Sequence, residues 1–293
     1  MTQSDDIYLI AVDGGGTGCR AAVGTVTGGI LAVARGGPGN VATNFDGSVR
    51  NIVAAVDGAL ADAGLPAELR DTAVAHLGLA GANSRAEMAK VEAALPFARC
   101  TVTGDRATAT FGALGPQNGY LVALGTGTIV SRQLDGEIST VGGWGFNVSD
   151  EASGAWLGRA LLTHALQAED GIAAHSTLSR DILEKLGGRD AVVTFAAQAR
   201  PGDFADLAPD VVEAAARGDD LARNLMRSGA DYLTRALSAL EFTPGDVLCL
   251  SGGLGPHYEA YLPNELTRNL HPRRGSALDG AFELARRAVL QGT

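Results

Sequence analysis

A chain of 293 residues has room for one large domain or two of about 100 to 200 residues, and two is the working reading. With 46% hydrophobic and 19% charged residues the composition is globular, and no apolar stretch reaches the roughly 20 residues that a membrane-spanning helix requires. A net charge of −10 argues against a nucleic-acid or anionic-membrane partner, since either needs a basic face, and Cys19, Cys100 and Cys249 are too dispersed for a C-x-x-C metal site or a disulfide framework.

The opening Met1–Asp6 is polar and acidic, without the basic start and apolar segment of a secretory signal, so a cytoplasmic protein with no leader or extra domain ahead of Ile7 is expected. Three apolar segments, 7–12, 20–26 and 29–35, separated by Gly-rich or Thr-Gly turns, predict an antiparallel meander. The first turn, Asp13-Gly14-Gly15-Gly16-Thr17, brings a carboxylate, a hydroxyl and bare backbone N–H groups to one point, a combination suited to a phosphate with its metal. It is neither a dinucleotide fingerprint, which needs glycine where Cys19 stands, nor a Walker loop, because Lys90 and Lys185 are the only lysines and neither follows glycine. An ordinary glycine-rich hairpin is the plain alternative. Asp46 is placed to cap a helix whose apolar stripe runs through Val49, Ile52, Val53, Val56 and Leu60 and which ends at Gly64 and Pro66. A strand over 73–80, a capping box from Ser84 to Glu87 opening a helix that stops near Pro96, and a strand over 100–103 that delivers Gly104-Asp105 complete this half.

The second half replays the pattern: strand 120–124, the turn Gly125-Thr126-Gly127-Thr128, strand 129–134, the Asp135-Gly136 turn and strand 137–141. Val247 to Gly253 then resembles Val74 to Gly81, a strand running into glycine, but arrives roughly 60 residues late, and helical stretches near 151–167, 177–187 and 203–216 fill that insertion. Helices around 219–241 and 277–291 follow. A duplicated unit with facing glycine turns predicts an α/β protein of two lobes, 1–115 and 116–293, closing on a ligand in an interlobe cleft, with the last helix free to pack on either lobe.

In order, these segments resemble the sugar-kinase, heat-shock-ATPase and actin superfold, whose lobes are ribonuclease H-like: Asp13 to Thr17 its first phosphate loop, Gly125 to Thr128 its second, and Ser251-Gly252-Gly253-Leu254 its adenosine loop. The run Gly142-Gly143-Trp144-Gly145-Phe146-Asn147-Val148-Ser149-Asp150-Glu151-Ala152-Ser153-Gly154 resembles the signature of the N-acetylglucosamine and glucosamine kinases, a branch of the BadF/BadG/BcrA/BcrD-type ATPase family, and Leu278-Asp279-Gly280-Ala281 also fits. The resemblance implies an ATP- and Mg²⁺-dependent kinase acting on the 6-hydroxyl of glucosamine, or alternatively of N-acetylglucosamine, commonly as a homodimer. It implies Asp105 as catalytic carboxylate, Asn44, Thr126, Gly143, Trp144 and Asp150 around the sugar, and Gly252 and Gly253 at the nucleotide. Two departures stand out: Asp105-Arg106 where the family usually has Asp-Ala, and Ser149-Asp150-Glu151-Ala152-Ser153 where it has Gly-Asp-Glu-Gly-Ser. A guanidinium beside Asp105 is expected to lower its pKa and weaken it as a base.

Phosphoryl transfer needs an in-line nucleophile, neutralised phosphate charge and an acceptor for the hydroxyl proton. Asp105, at the carboxyl end of a strand, is the acceptor, unless it only caps the helix that follows. Asp13 can hold magnesium through water while Gly14 to Thr17 and Gly125 to Thr128 offer N–H groups to the phosphates. Asp150 can accept hydrogen bonds from vicinal sugar hydroxyls and Asn44 can both donate and accept, against capping roles for each. Trp144 is either core or an exposed loop residue, His76 a satisfied core histidine, and Glu151 either a support for the site or a helix start. Rival readings are a non-catalytic sugar or nucleotide sensor and a reductase-activating ATPase; the latter needs paired cysteines for an iron–sulfur cluster, which this chain lacks.

Overall fold

The computed structural model describes residues 7–292, so the polar opening Met1–Asp6 and its bearing on a leader lie outside the described residues. The chain forms two compact units, one of Met1–Gln117 with Arg273–Thr293 and one of Asn118–Pro272. Among the described residues no helix is long and apolar enough to cross a membrane.

The first unit is built on β1 (Tyr8–Gly14), β2 (Cys19–Thr25) and β3 (Gly29–Gly36), the expected antiparallel meander. Helix α1 (Phe45–Asp62) leads to β4 (Val74–Leu79), α2 (Arg85–Ala94) to β5 (Arg99–Gly104), and β4 and β5 add in parallel to give the order β3-β2-β1-β4-β5. The period of two in β1 explains its burial on both faces. Ile10 and Val12 enter the core with Ile52 and Val56 of α1, whereas Leu9 and Ala11 face a second core containing Leu278, Ala281 and Phe282. The cap of α1 differs from expectation: Asn44, not Asp46, accepts the Gly47 N–H at 3.0 Å, because the helix starts two residues earlier and the cap must reach an N–H inside its first turn. The capping box from Ser84 to Glu87 opens α2 as its spacing predicts.

Helix α3 (Asp105–Leu114) follows β5 directly and packs against the chain's last helix. Both present glycine at the contact: a methyl at Gly112 would collide with the Ser276 carbonyl, and one at Gly280 with the Thr108 carbonyl. The two backbones therefore meet with no side chain between them, which fixes α3 and the residue at its start.

In the second unit β6 (Gly119–Leu124), β7 (Thr128–Leu134) and β8 (Glu137–Val141) repeat the meander, and β9 (Leu248–Ser251) joins β6 in parallel, giving β8-β7-β6-β9. Beyond β9 a single parallel bridge from Leu248 to Leu270 stands where the first sheet has its fifth strand. Between β8 and β9 lie α4 (Gly154–Glu169), α5 (Thr177–Leu186), α6 (Arg189–Gln198), α7 (Pro201–Ala205), α8 (Ala208–Arg217) and α9 (Asp220–Ala239). Sequence patterning missed α6, whose Gly188 N-cap makes no side-chain bond, and fused α7 with α8. After β9 come a short α10 (Asn264–Thr267) and α11 (Ala277–Leu290), the latter packed on α3, β1 and β4 of the first unit, to which it belongs.

Candidate functional site

In the first unit the end of β1 and the start of α3 carry the candidate residues. Gly14 is buried, and a methyl there would stand 2.6 Å from Leu79 Cδ2 and 3.3 Å from the Gly39 carbonyl, so glycine lets the hairpin seat on the end of β4. The hairpin itself uses one N–H expected to face phosphate: Gly15 donates to the Gly18 carbonyl at 2.9 Å. Gly16 and Thr17 form the exposed tip, and Gly16 has open space around it, so these two offer the outward donors.

Asp13 is half-buried at the same end of β1, where Arg20 Nη2 donates to its Oδ2 at 2.6 Å. The two are cross-strand partners, so the hairpin's register sets the pair. Composition and motif do not mark this guanidinium as a site residue; the signal that does is the hairpin register, since a turn at residues 15–18 sets Arg20 opposite Asp13.

Asp105 is the first residue of α3, with Gly104 as the N-cap and no side-chain capping bond. It stands at the carboxyl end of a parallel strand, between β5 and a helix N-terminus. Burial raises the pKa of this carboxyl; Arg106 and local backbone N–H groups pull it down, and the negative charge of Asp13 adds to the rise. The expected weakening by Arg106 is thus outweighed by desolvation, and the group is a stronger base than a solvated aspartate. Nearby in the sheet His76 is buried, with Nε2 3.2 Å from Thr103 Oγ1 and a pKa held down at about 4 by burial, so it stays a neutral core residue. Asn44 is exposed, and its Oδ1 serves the α1 cap, which leaves the amide N–H groups as its outward face.

In the second unit the turn after β6 is closed by Gly125 donating to the Gly127 carbonyl at 3.0 Å, and α4 begins on this turn, Gly154 donating to the Gly125 carbonyl at 2.8 Å. Gly125 and Thr126 are exposed; Thr128 is buried, and its hydroxyl donates to the Glu151 carbonyl at 2.7 Å rather than facing outward. Gly252 packs on the end of β6, where Leu254 donates to the Leu124 carbonyl at 3.1 Å, while Gly253 lies open. Gly125, Thr126 and Gly253 line a cavity of about 380 Å³ whose other walls include Ala208, Val212 and Leu254. Glycine edges and aliphatic walls form a slot suited to a flat heterocycle. A larger open concavity, about 640 Å³ and lined by His164, His175 and Asn224 among others, contains none of the candidate residues.

The glycine-rich stretch after β8 folds over the same turn. Trp144 is 74% exposed, which settles it as a loop residue and not core. Asp150 is buried, its Oδ1 accepts the Gly145 N–H at 3.3 Å, and its carboxylate lies against Gly127, 3.1 Å from where a methyl would stand. It does not cap α4; Ser153 does, accepting the Trp156 N–H at 3.1 Å. Glu151 accepts from Ser149 Oγ at 3.0 Å within the loop. Asp150 and Ala152 both have left-handed backbone, φ 66° and 67°. A non-glycine residue held in that region stores strain of about 1–3 kcal/mol, which tends to collect at ligand-holding loops.

The comparisons agree with this architecture. Over 280 residues the chain is 29% identical to the glucosamine kinase of Vibrio cholerae, covering 95% of each protein. It superposes with TM-score 0.87 and 36% identity on the crystal structure of a proposed N-acetylglucosamine kinase from Chromobacterium violaceum, covering 96% of this chain and 99% of that one. A Streptomyces griseus glucokinase of the ROK family, solved with glucose and AMPPNP, matches at TM-score 0.60 and 20% identity over 96% of this chain and 99% of that one, which identifies the fold as that of the actin-like sugar kinases. The model of the BadF/BadG/BcrA/BcrD ATPase family matches residues 10–272, and the chain belongs to that family.

Proposed function

We propose that the protein is an ATP-dependent amino-sugar kinase that transfers the γ-phosphoryl group to the 6-hydroxyl of glucosamine. Asp105 carries this reading: a carboxylate whose pKa burial raises, at the mouth of a parallel sheet, is suited to take a proton from a weakly acidic alcohol. As O6 bonds to the γ-phosphorus and the bond from that phosphorus to the β,γ-bridging oxygen breaks, the O6 proton passes to Asp105 and ADP departs with the bridging oxygen. Asp150 and Asn44 orient sugar hydroxyls, with Gly143 and Trp144 alongside. Gly16, Thr17, Thr126 and Gly127 attend the phosphates; Gly125, whose N–H closes its own turn, lines with Gly253 the slot that takes the adenine.

The residues fit a magnesium ion bound through its water: beside the phosphate hairpin the Asp13 carboxylate, one oxygen of which Arg20 already holds, would accept hydrogen bonds from metal-bound water, and no cluster of three or more metal-ligating side chains exists among the described residues. Bound there through water, the ion would neutralise phosphate charge.

Relatives named for glucosamine and for N-acetylglucosamine both align along nearly the whole chain, so the substituent at C2 is the finer question. Asp150 and Glu151 on one loop favour the ammonium of free glucosamine over a neutral acetamide. The test is ADP release measured side by side with glucosamine, N-acetylglucosamine, N-acetylmannosamine and glucose, with the product's phosphate located by NMR. Glucosamine is expected to give the highest kcat/KM, and a clear preference for N-acetylglucosamine would reverse the C2 assignment. Turnover with none of the four would remove the kinase reading itself.

A further inference from the structure

The loop that carries Gly143, Trp144 and Asp150 rests on a residue 82 to 89 positions further along the chain, Tyr232 of α9. Its hydroxyl is buried and makes no hydrogen bond of good geometry, yet it lies beside the Ser149 side chain and the Gly143 backbone. A methyl at Gly142 would collide with it, so the phenol fills the space under the start of the loop. The carboxylates of Asp150 and Glu151 are close enough for both to raise the phenol's pKa, after burial as the first cause, which keeps it protonated and a donor at neutral pH. A buried hydroxyl that meets its neighbours Ser149 and Gly143 only in poor geometry is destabilising, and the loop above it is strained at Asp150 and Ala152.

Resting on the kinase reading, we propose that Tyr232 is a positioning residue whose hydroxyl becomes the anchor of the sugar loop when the hexosamine binds. The loop settles onto the phenol, which donates to an oxygen of the Ser149–Glu151 segment, and the strained Asp150 is thereby held in place for the sugar hydroxyls. Nothing in this role touches the nucleotide.

The test is Tyr232→Phe, which keeps the ring and removes the hydroxyl. Loss of one bound-state hydrogen bond is expected to raise the sugar KM, and the Kd for sugar by calorimetry, about threefold to tenfold, with the KM for ATP within about twofold of the parent. The melting temperature of the sugar-free protein should stay level or rise, since the hydroxyl is unsatisfied there. That opposition of signs separates anchoring from ordinary packing. An unchanged sugar KM, or a melting temperature that falls while both KM values rise, overturns the proposal. These outcomes require a parent that phosphorylates a hexosamine; a parent without that activity condemns the functional reading instead.

Discussion

Replacing Asp105 by Asn keeps the side chain's shape and removes the charge that the structure makes most consequential. Loss of a general base typically lowers turnover about a hundred- to ten-thousand-fold, which corresponds to about 3 to 5 kcal/mol on the barrier. Sugar affinity should change little. The same substitution should stabilise the fold at neutral pH, because burial raises the pKa of this carboxyl and so penalises its ionised form. The sign follows from linkage. The unfolded chain gives up this proton near pH 3.9, the folded one at higher pH, so the stability of the parent declines through the interval between them and the deficit is complete above it. Asp105→Asn should therefore melt above the parent at pH 7.5, with the difference vanishing toward pH 4. The parent's kcat/KM should fall as acidity protonates Asp105, on a limb displaced above the ordinary aspartate range. Coupled measurement of ADP release and thermal unfolding at the two pH values checks both halves. Near-parental turnover by a folded, sugar-binding variant, or a variant that melts below the parent at pH 7.5, would refute the reasoning.

Gly280→Ala should push α11 off α3 by driving a methyl into the Thr108 carbonyl; overpacking of this kind costs about 1–3 kcal/mol, offset by about 1 kcal/mol of gained helix propensity. Because Asp105 opens α3, kcat should fall with stability, and a stabilised, fully active variant would show that the helices have room. Ala152→Gly relieves left-handed strain of about 1–2 kcal/mol but gives up about 0.8 kcal/mol of methyl burial and about 0.4–1 kcal/mol through the freer unfolded chain. Its stability by denaturant titration should lie within about 1 kcal/mol of the parent. Ala152→Val, β-branched and enlarged at a fully buried left-handed site, should cost more than about 3 kcal/mol from strain and overpacking together; parental stability in that variant would contradict the backbone assignment.

Much of the fold is legible in the chain because its determinants are local. The two meanders are written in short β-compatible runs broken by Gly-rich turns, and the Ser84–Glu87 box opens α2 because both halves of a capping box lie within one helical turn. Legibility failed where local signals were absent or ambiguous: α6 begins at a glycine with no capping side chain, and Asn44 and Asp46 stand within one turn of the same helix start. Within the candidate site, the types of Asp13, Asp105 and Asp150 could be read, but not their electrostatic state. Burial is a property of the packed chain, so the sequence suggested that Arg106 would govern Asp105 when desolvation does.

By itself, then, the amino-acid order determined the strands, the turns and the residues those turns display, since each depends on neighbours a few positions away. Only the tertiary structure decided that α11 seats its Gly280 on α3 in the first unit and that Tyr232 lies under a loop on the far side of five helices' worth of chain. Contacts between such distant residues are set by how whole elements pack, where shape and desolvation act on groups that no short-range pattern connects.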